Sequence, residues 1–597
     1  MNESANLKTN RDPVFIVQNG KAKSKILLPE EATGQADYAA QQLKYYLDLM
    51  TAVSIPIERC LGHGHWLALG SEQDLKPQNE NDALGPDGFT IQREEHQIVF
   101  RGGKRGIIYS VYEFLEQLGC RFFTPKCEKV PVQPDLMLPQ LNIRQVPELE
   151  YRYHNYIDIV GYPRFAVKSR INGPVPIKER FGGHLSYAWF VHTFNQILDP
   201  DEWFDRHPEY FSMVNGKRLK YRTQLCLTNP DVLKITIEKV KEALRAHPES
   251  TLISVSQNDW GNPCTCPNCH AIDQAEKSHA GSLIWFVNQV AEAIEPEFPN
   301  VIVDTLAYQY TRPAPRSIRP RHNVCVRLCS IEACFSHPLE TCTDRSRQVI
   351  RPDGTSAGFI DDLRDWAKVC DRLYIWDYTT CFAHYPTPFP NWRVLQPNMQ
   401  AFVRNHVKGV FEQGNGARGG GVDLNELRAY LIGKLLWDAN CDLDRHRKEF
   451  LDYYYGDAAP FICQYIDLLC DIVEEEQIHV GFNDNCDRPY LTPQRLSQYD
   501  QLLKKGEEAV IGDPLRLPRV AKIRLSIRWV SLKNRMMRGE KADPEEIASF
   551  FSDWRAHGLT RIDEWVNVET THRALLEGLW RGTEYYDEWW AEGEEEL

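Results

Sequence analysis

A chain of 597 residues is too long for one ordinary core and predicts two to four domains. With 42% apolar and 25% charged residues, its composition is that of a globular protein in water. The net charge of −14 argues against a nucleic-acid partner, which needs basic patches, yet a few placed arginines could still serve an anionic small substrate.

No run approaches the roughly 18 consecutive apolar residues of a membrane span. The start, "MNESANLKTNRDPVF", has no apolar h-region. The 17 cysteines are an odd number scattered along a large chain, the pattern of mostly reduced thiols. Together these features favour a cytoplasmic location; a trimmed signal would instead mean a periplasmic or secreted one. Self-association into a homo-oligomer is left open.

Residues 1–145 mix strands with two helices and predict an α/β accessory domain. Ala36, Ala40, Leu43, Leu47 and Met50 recur at helical spacing, and "WLALG" (Trp66 to Gly70) and "HQIVFRG" read as strands. A second helix carries Ile108, Val111, Leu115 and Leu118 on one face and stops at Gly119. The proline-spaced "VPVQPDLMLPQLNIRQVPELE" reads as an extended linker.

Residues 146–438 alternate strands and helices. Eight runs qualify as strands: "YRYHNY", "GGHLSY", "TQLCL", "LISVS", "VIVDTLAY", "NVCVRL", "RLYIWDY" and "KGVFEQG". Helices between them carry Leu233, Ile237, Val240 and Leu244, then Leu283, Val287, Val290 and Ile294, then Ile360, Leu363, Ala367 and Cys370. Such alternation predicts a parallel sheet, and eight repeats predict its closure into a TIM-like (β/α)8 barrel, with a doubly wound open sheet as the alternative. Residues 439–597 lose the strand signal and predict an α-helical region, ending in the acidic tail "DEWWAEGEEEL".

A barrel presents its chemistry at the C-terminal ends of its strands. By that rule the fourth strand delivers Asn258 and Asp259, the seventh Asp377 and the eighth Glu412. The first offers His154 and Asn155, the second His184, the fifth Tyr308 and the sixth Arg327. Three carboxylates at one mouth suit hydrolysis of a glycosidic bond, one carboxyl protonating the leaving oxygen while another activates water or attacks the sugar. Trp260, Tyr308, Trp376 and Tyr378 would face the apolar side of a sugar. The plainer reading is that strand-end acids cap helices or pair with Arg327. His184 either binds a substrate hydroxyl or carboxylate or is a structural histidine bonded to a neighbour. Asn155 and Asn258 are candidate substrate binders, and Arg327 either clamps a substrate carboxylate or forms a buried ion pair.

Cys264, Cys266 and Cys269 place three thiols in a short loop. A structural zinc ion, free thiols and a disulfide are the three states open to them. A fourth zinc ligand would come from His270, His279 or a distant cysteine such as Cys226, Cys329 or Cys334. No cofactor is expected to be required for catalysis.

The stretch "VFRGGKRGIIYSVYEFLEQLGCRFFTP" resembles the accessory domain that precedes the barrel in family 67 α-glucuronidases and family 20 hexosaminidases. "GGH", "HPEYF", "QLCLTNP", "SVSQNDWGNPCTCPNC", "LAYQYTRPAP" and "KGVFEQG" are similar to the bacterial domain of unknown function 4838, and the two resemblances together cover most of residues 13 to 435. The resemblance implies a barrel glycoside hydrolase. By strand position, the glucuronidase-like general acid would fall on Asp259 and the two late acids on Asp377 and Glu412. The first acid here is Asp rather than Glu, and there is no adjacent acidic pair of the hexosaminidase kind. The expectation is a glycoside hydrolase acting on an oligo- or polysaccharide, with uronic-acid-containing ones included. The alternatives are a carbohydrate-binding or scaffold protein with a non-catalytic barrel, and a metal-dependent hydrolase using the cysteine loop.

Overall fold

The computed structural model describes residues 15–59, 66–69, 84–94 and 97–579. Gly70 and the acidic tail at 587–597 lie outside the described residues. Two compact units emerge, one formed by the chain up to Pro147 with Pro176–His184, the other by Glu148–Val175 with everything from Leu185 on. The helices after residue 439 therefore belong to the same unit as the central sheet.

In the first unit, six strands run in the order Asn142–Gln145, Phe89–Glu94, Gln97–Gly102, Trp66–Leu69, Lys25–Leu28 and Ile57–Arg59. The helix Gly34–Thr51 starts where the Thr33 side chain accepts from the Ala36 amide, and it buries Leu43, Leu47 and Met50. Gly106–Gln117 buries Ile108, Val111 and Leu115, and the chain leaves this helix through Gly119 at φ +97°, a conformation that favours glycine. The proline-spaced stretch is more than a linker. Asn142–Gln145, in the proline-free interval between Pro139 and Pro147, pairs antiparallel with Phe89–Glu94. It is an edge strand, where flanking prolines cost no ladder bond.

Six of the eight expected strands form the parallel sheet of the second unit: β1 (Tyr151–His154), β2 (Leu252–Ser254), β3 (Ile302–Ala307), β4 (Val324–Cys329), β5 (Leu373–Tyr378) and β6 (Gly409–Gln413). Their order is β1-β6-β5-β4-β3-β2, so the first strand lies beside the last, as in a barrel. The result is a curled half-barrel rather than a complete (β/α)8 ring. All of these strands are almost wholly buried, which is why they read as near-continuous apolar runs.

The two missing strands have local causes. In "GGHLSY", Gly182 and Gly183 sit at φ +105° and +65°, which breaks an extended run. Only Tyr187 makes a parallel bridge, to Leu252, although the irregular chain from Ser186 to Thr193 keeps exchanging backbone hydrogen bonds with 252–256. In "TQLCL", the backbone turns to an antiparallel partner. Leu225 bridges Phe211, and the Cys226 amide donates to the Tyr210 carbonyl at 2.8 Å.

Arg327 of β4 fills the interior of the sheet. Its Nε lies 3.3 Å from Asp304 Oδ2, with both side chains fully buried, and its guanidinium donates to the Tyr187 hydroxyl. Its charge also faces the rings of Tyr151 and Tyr374, at 5.0 and 5.6 Å from their centroids. Of the two readings offered by the sequence, the geometry is that of the buried ion pair. Asp304→Asn would leave the guanidinium buried without its counter-charge and should cost about 3–5 kcal/mol. The double variant Asp304→Leu/Arg327→Met should recover most of that loss, as urea unfolding curves would show.

Candidate active site

The chain beyond β2 carries the first candidate acid. Val255 to Asn258 remain buried, and Asp259 then emerges into the open. A neighbouring segment holds this turn through side chains. Gln224 Oε1 accepts from the Asn258 amide at 2.9 Å, and its Nε2 donates to the carbonyls of Asn258 and Trp260 at 3.0 and 2.6 Å. The Thr223 carbonyl accepts from Asn258 Nδ2 at 3.0 Å and from Trp260 Nε1 at 2.7 Å. Asn258 and Trp260 are thus committed to bracing the turn rather than to presenting polar atoms to a ligand.

Asp259 lines a cavity of about 640 Å³ at the C-terminal ends of the strands. The Tyr308 hydroxyl donates to Asp259 Oδ1 at 2.8 Å. Burial and the neighbouring Asp259 charge push the Tyr308 phenol well above its ordinary pKa, so the hydroxyl stays a donor. Trp376, Tyr378 and Phe411 supply aromatic walls, and Asn155 and His192 supply polar edges. Asn155 Oδ1 also accepts from the Gly414 amide at 2.7 Å, which fixes the end of β6.

The second carboxyl in this cavity is Glu564, from the C-terminal helical region. Its backbone amide donates to the Phe382 carbonyl at 3.0 Å. The turn after it is closed by Asp563 Oδ1, which accepts from the amides of Trp565 and Val566. Gln413 Nε2 donates to Glu564 Oε1 at 3.2 Å, while Gln413 Oε1 accepts from Trp376 Nε1 at 2.8 Å. Burial, reinforced by the charge of Asp259, raises the Glu564 carboxyl to about 7. Strand-end reasoning missed Glu564 because it lies more than 150 residues beyond the last strand, in "RIDEW". An acid beside a tryptophan was the one signal there.

Asp377 and Glu412, expected at the mouth, do not line this cavity. Successive strand residues point to opposite faces. Trp376 and Tyr378 line the cavity, as do Phe411 and Gln413, so Asp377 and Glu412 between them point the other way. There they form part of a buried row across the sheet. His154 is in register with Glu412, and Glu412 with Asp377, while Ser330 Oγ donates to Asp377 Oδ1. Gly433 of the helix Asn425–Trp437 sits against the His154 ring. Burial lowers the His154 imidazole to about 3 and keeps it neutral. Burial raises Asp377 to about 6 and, together with the Asp377 charge, pushes Glu412 well above the carboxylate range. Glu412 Oε2 has no hydrogen-bond partner among the described residues. Two adjacent acids in a dry layer cannot both ionise cheaply. His184 belongs to the first unit, where its Nδ1 lies 3.1 Å from the Ile177 carbonyl oxygen.

The cysteine loop finds its fourth member in Cys226. The Sγ atoms of Cys226, Cys264, Cys266 and Cys269 all lie within 4.8 Å of one another, and Cys226 and Cys266 are 3.6 Å apart. The S–S edge of a tetrahedral zinc site with bonds near 2.3 Å is about 3.8 Å, so the four thiols fit that ion. His270 and His279 take no part; His279 Nδ1 bonds Asp273 Oδ2 at 2.7 Å. The helix Pro267–Glu276 begins inside the loop and carries Cys269.

A family model described as Domain of unknown function (DUF4838) matches residues 122–467, more than half of the chain. No curated protein matches. Among solved structures, BtGH115A, a family GH115 4-O-methyl-α-glucuronidase with specificity for decorated arabinogalactans, is 12% identical, with a TM-score of 0.54 over 94% of this chain and 77% of that one. A GH138 enzyme targeting pectin rhamnogalacturonan II is 10% identical over 93% of this chain and 92% of its own, with a TM-score of 0.37. A β-hexosaminidase of Streptomyces plicatus in complex with GlcNAc is 13% identical over 75% of this chain and 92% of its own, with a TM-score of 0.43. At such identities the GH115 likeness is one of fold.

The buried acid row has a measurable consequence. An unfolded aspartate releases its proton near 3.8, whereas folded Asp377 holds it up to about 6. Between those values the folded state binds more protons, so stability falls as pH rises from about 4 to about 6. Glu412, pushed up further, extends the decline. Asp377→Asn should leave stability near pH 3.5 unchanged and raise it at pH 7, by on the order of 1–3 kcal/mol. Denaturant midpoints measured across that pH range test this.

Proposed function

The chain belongs to the family described as Domain of unknown function (DUF4838), and from that premise we propose that it is a glycoside hydrolase whose catalytic carboxyls are Asp259 and Glu564. The observation that carries this reading is the meeting of the two acids in one aromatic cavity, one of them held near neutrality by burial and by the charge of the other. Glu564 would be the general acid. At a pKa of about 7 it keeps a proton for the leaving oxygen and can release it within the working pH range. Asp259 would be the partner that activates water or attacks the anomeric carbon, with the Tyr308 hydroxyl orienting Oδ1 and leaving Oδ2 for the reaction. Trp376 and Tyr378, stacked with ring centroids 6.3 Å apart, would receive the apolar face of the sugar.

The lining also bears on the substrate. Among the described residues it contains two carboxyls and one imidazole, His192, but no lysine or arginine. An uncharged sugar suits such a site better than a uronic acid, whose carboxylate would face Asp259 and Glu564 with no lysine or arginine among the described lining residues beside it. Aryl glycosides of neutral sugars therefore come first in a screen, with uronic-acid-containing polysaccharides as the contrast.

Glu564→Gln and Asp259→Asn should each lower kcat by about 10²–10⁴-fold without unfolding the protein. The Glu564 variant should keep far more activity on substrates whose leaving group needs no protonation. In the native protein, kcat/KM should fall as pH rises through about 7, because the acid must hold its proton. Undiminished turnover in either variant would refute the pair; saturable sugar binding with no turnover would make the protein a binding module.

We further infer that Cys226, Cys264, Cys266 and Cys269 hold a structural zinc ion. The segment that delivers Cys226 also delivers Thr223 and Gln224 to the Asp259 turn, and Cys264 Sγ accepts from the Met213 amide at 3.3 Å. Zinc would thus lock together the two strips of chain that aim the catalytic turn. Cys226→Ser should release zinc and lower kcat by about tenfold or more through loss of alignment, which metal analysis beside kinetics would measure.

A further inference from the structure

A second group of soft ligands lies elsewhere in the same unit, and no motif in the sequence singled it out. Cys334, His337 and Cys342 come from the loop that follows β4, and His479 comes from the segment after the helix Ala459–Glu475. Their ligand atoms all lie within 4.8 Å of one another. We propose that these four side chains form a second zinc site, which fastens the loop after β4 to the segment 478–483.

The distances match a coordination shell. Cys334 Sγ lies 3.4 Å from His337 Nδ1 and 3.4 Å from His479 Nδ1, and Cys342 Sγ lies 3.7 Å from His479 Nδ1. Bonds of about 2.3 Å to sulfur and 2.0–2.1 Å to nitrogen give a tetrahedral S–N edge of about 3.5–3.6 Å. The two imidazole rings approach to 4.6 Å between centroids at 51° to one another, as two ligands of one ion would. Two thiolates and two neutral imidazoles balance the charge of Zn²⁺, and binding would release the two thiol protons to solvent. Cys334 and His337 are buried, whereas Cys342 and His479 are half-buried, so one side of the group is open for metal entry.

Hydrogen bonding alone accounts poorly for the arrangement. A thiol has one proton, yet Cys334 Sγ faces two imidazole nitrogens and the Ser336 hydroxyl, the last at 3.3 Å. That hydroxyl is already committed. It donates to the Ile478 carbonyl at 2.7 Å and accepts from the Val480 amide at 3.2 Å, so it supports the group from behind. A Cys334–Cys342 disulfide would leave the convergence of the two histidines unexplained.

The site has a structural task within reach. Phe482 and Asn483 line the cavity that holds Asp259 and Glu564. The segment carrying them is tied to the loop after β5 through the Phe382 amide and the Phe482 carbonyl, at 2.8 Å. The metal would tie its other end to the loop after β4, where the Phe335 amide donates to the Val480 carbonyl at 2.9 Å. It would hold one wall of the cavity, just as the four-cysteine group would hold the Asp259 turn on another.

The test is metal content of the full chain purified under reducing conditions, read by plasma mass spectrometry. His479→Ala and Cys342→Ser should each lose about one zinc ion per chain relative to the native protein. Cys463→Ser, whose thiol belongs to neither group, should lose none. Native metal content in both ligand variants would overturn the proposal, as would a Cys334–Cys342 disulfide in the metal-free native chain. A second measurement needs no variant. Zinc added to chelated native protein should protect Cys334 and Cys342 from alkylation, mapped by peptide mass spectrometry, and equal labelling with and without zinc would refute the site. Neither readout involves turnover, so failure here is separable from failure of the glycosidase reading.

Discussion

The pleat of the parallel strands is the constraint on which the rest of this site depends. Along β5 and β6, cavity-facing residues alternate with the buried acids: Trp376 and Tyr378 flank Asp377, and Phe411 and Gln413 flank Glu412. One parity meets the cavity and the other meets the helices. A shift of one residue in either strand would exchange the two sets. The register is held by continuous pairing from Tyr374 with Gly409 to Tyr378 with Gln413. Within the sheet, the buried Arg327 and Asp304 group with Tyr187 on the face that Trp376 and Phe411 share.

Two classes of buried acid follow from that parity. Asp377 and Glu412 share a dry layer with a neutral His154 and depart from ordinary carboxylates because solvent is absent. Glu564 is raised by burial first and then by the charge of Asp259, against the hydrogen bond from Gln413, and it lies at a ligand-sized cavity. Perturbed titration marks both places, but only at the second can a substrate reach the proton. A raised carboxyl pKa is therefore a guide to function only when read with the face of the sheet on which it occurs.

The half-barrel also distributes its supports unevenly. Where the second and third strands of a complete ring would stand, irregular chain takes over, and side chains do the positioning that ladders do elsewhere. Gln224 and Thr223 hold the Asp259 turn, and the four thiols gather the same strips of chain. At the other side, Ser336 and the Cys334 group gather the segment bearing Phe482. Loops freed from the regular ladder are braced by side-chain hydrogen bonds, beside two close groups of thiols and imidazoles.

Sequence alone determined the local elements. Helical spacing at Leu43 and Leu47, or at Val287 and Val290, and short apolar runs such as "VCVRL" are set by which residues bury themselves on one face, and that information is carried within each segment. It also pointed to Asp259 as the acid that follows its strand and to Tyr308, Trp376 and Tyr378, which line the same cavity, because strand patterns show where a strand gives way to its loop. Tertiary structure decided the rest. It decided that "GGHLSY" and "TQLCL" do not join the sheet, since glycine dihedrals and an antiparallel partner outweigh their β propensity. It decided that Cys226 completes the thiol group and that His479 meets Cys334 across 145 residues of chain. And it replaced Asp377 and Glu412 with Glu564 at the cavity. Which face a strand residue occupies, and which distant loop folds over that face, are properties of the packed sheet and not of any single stretch of sequence.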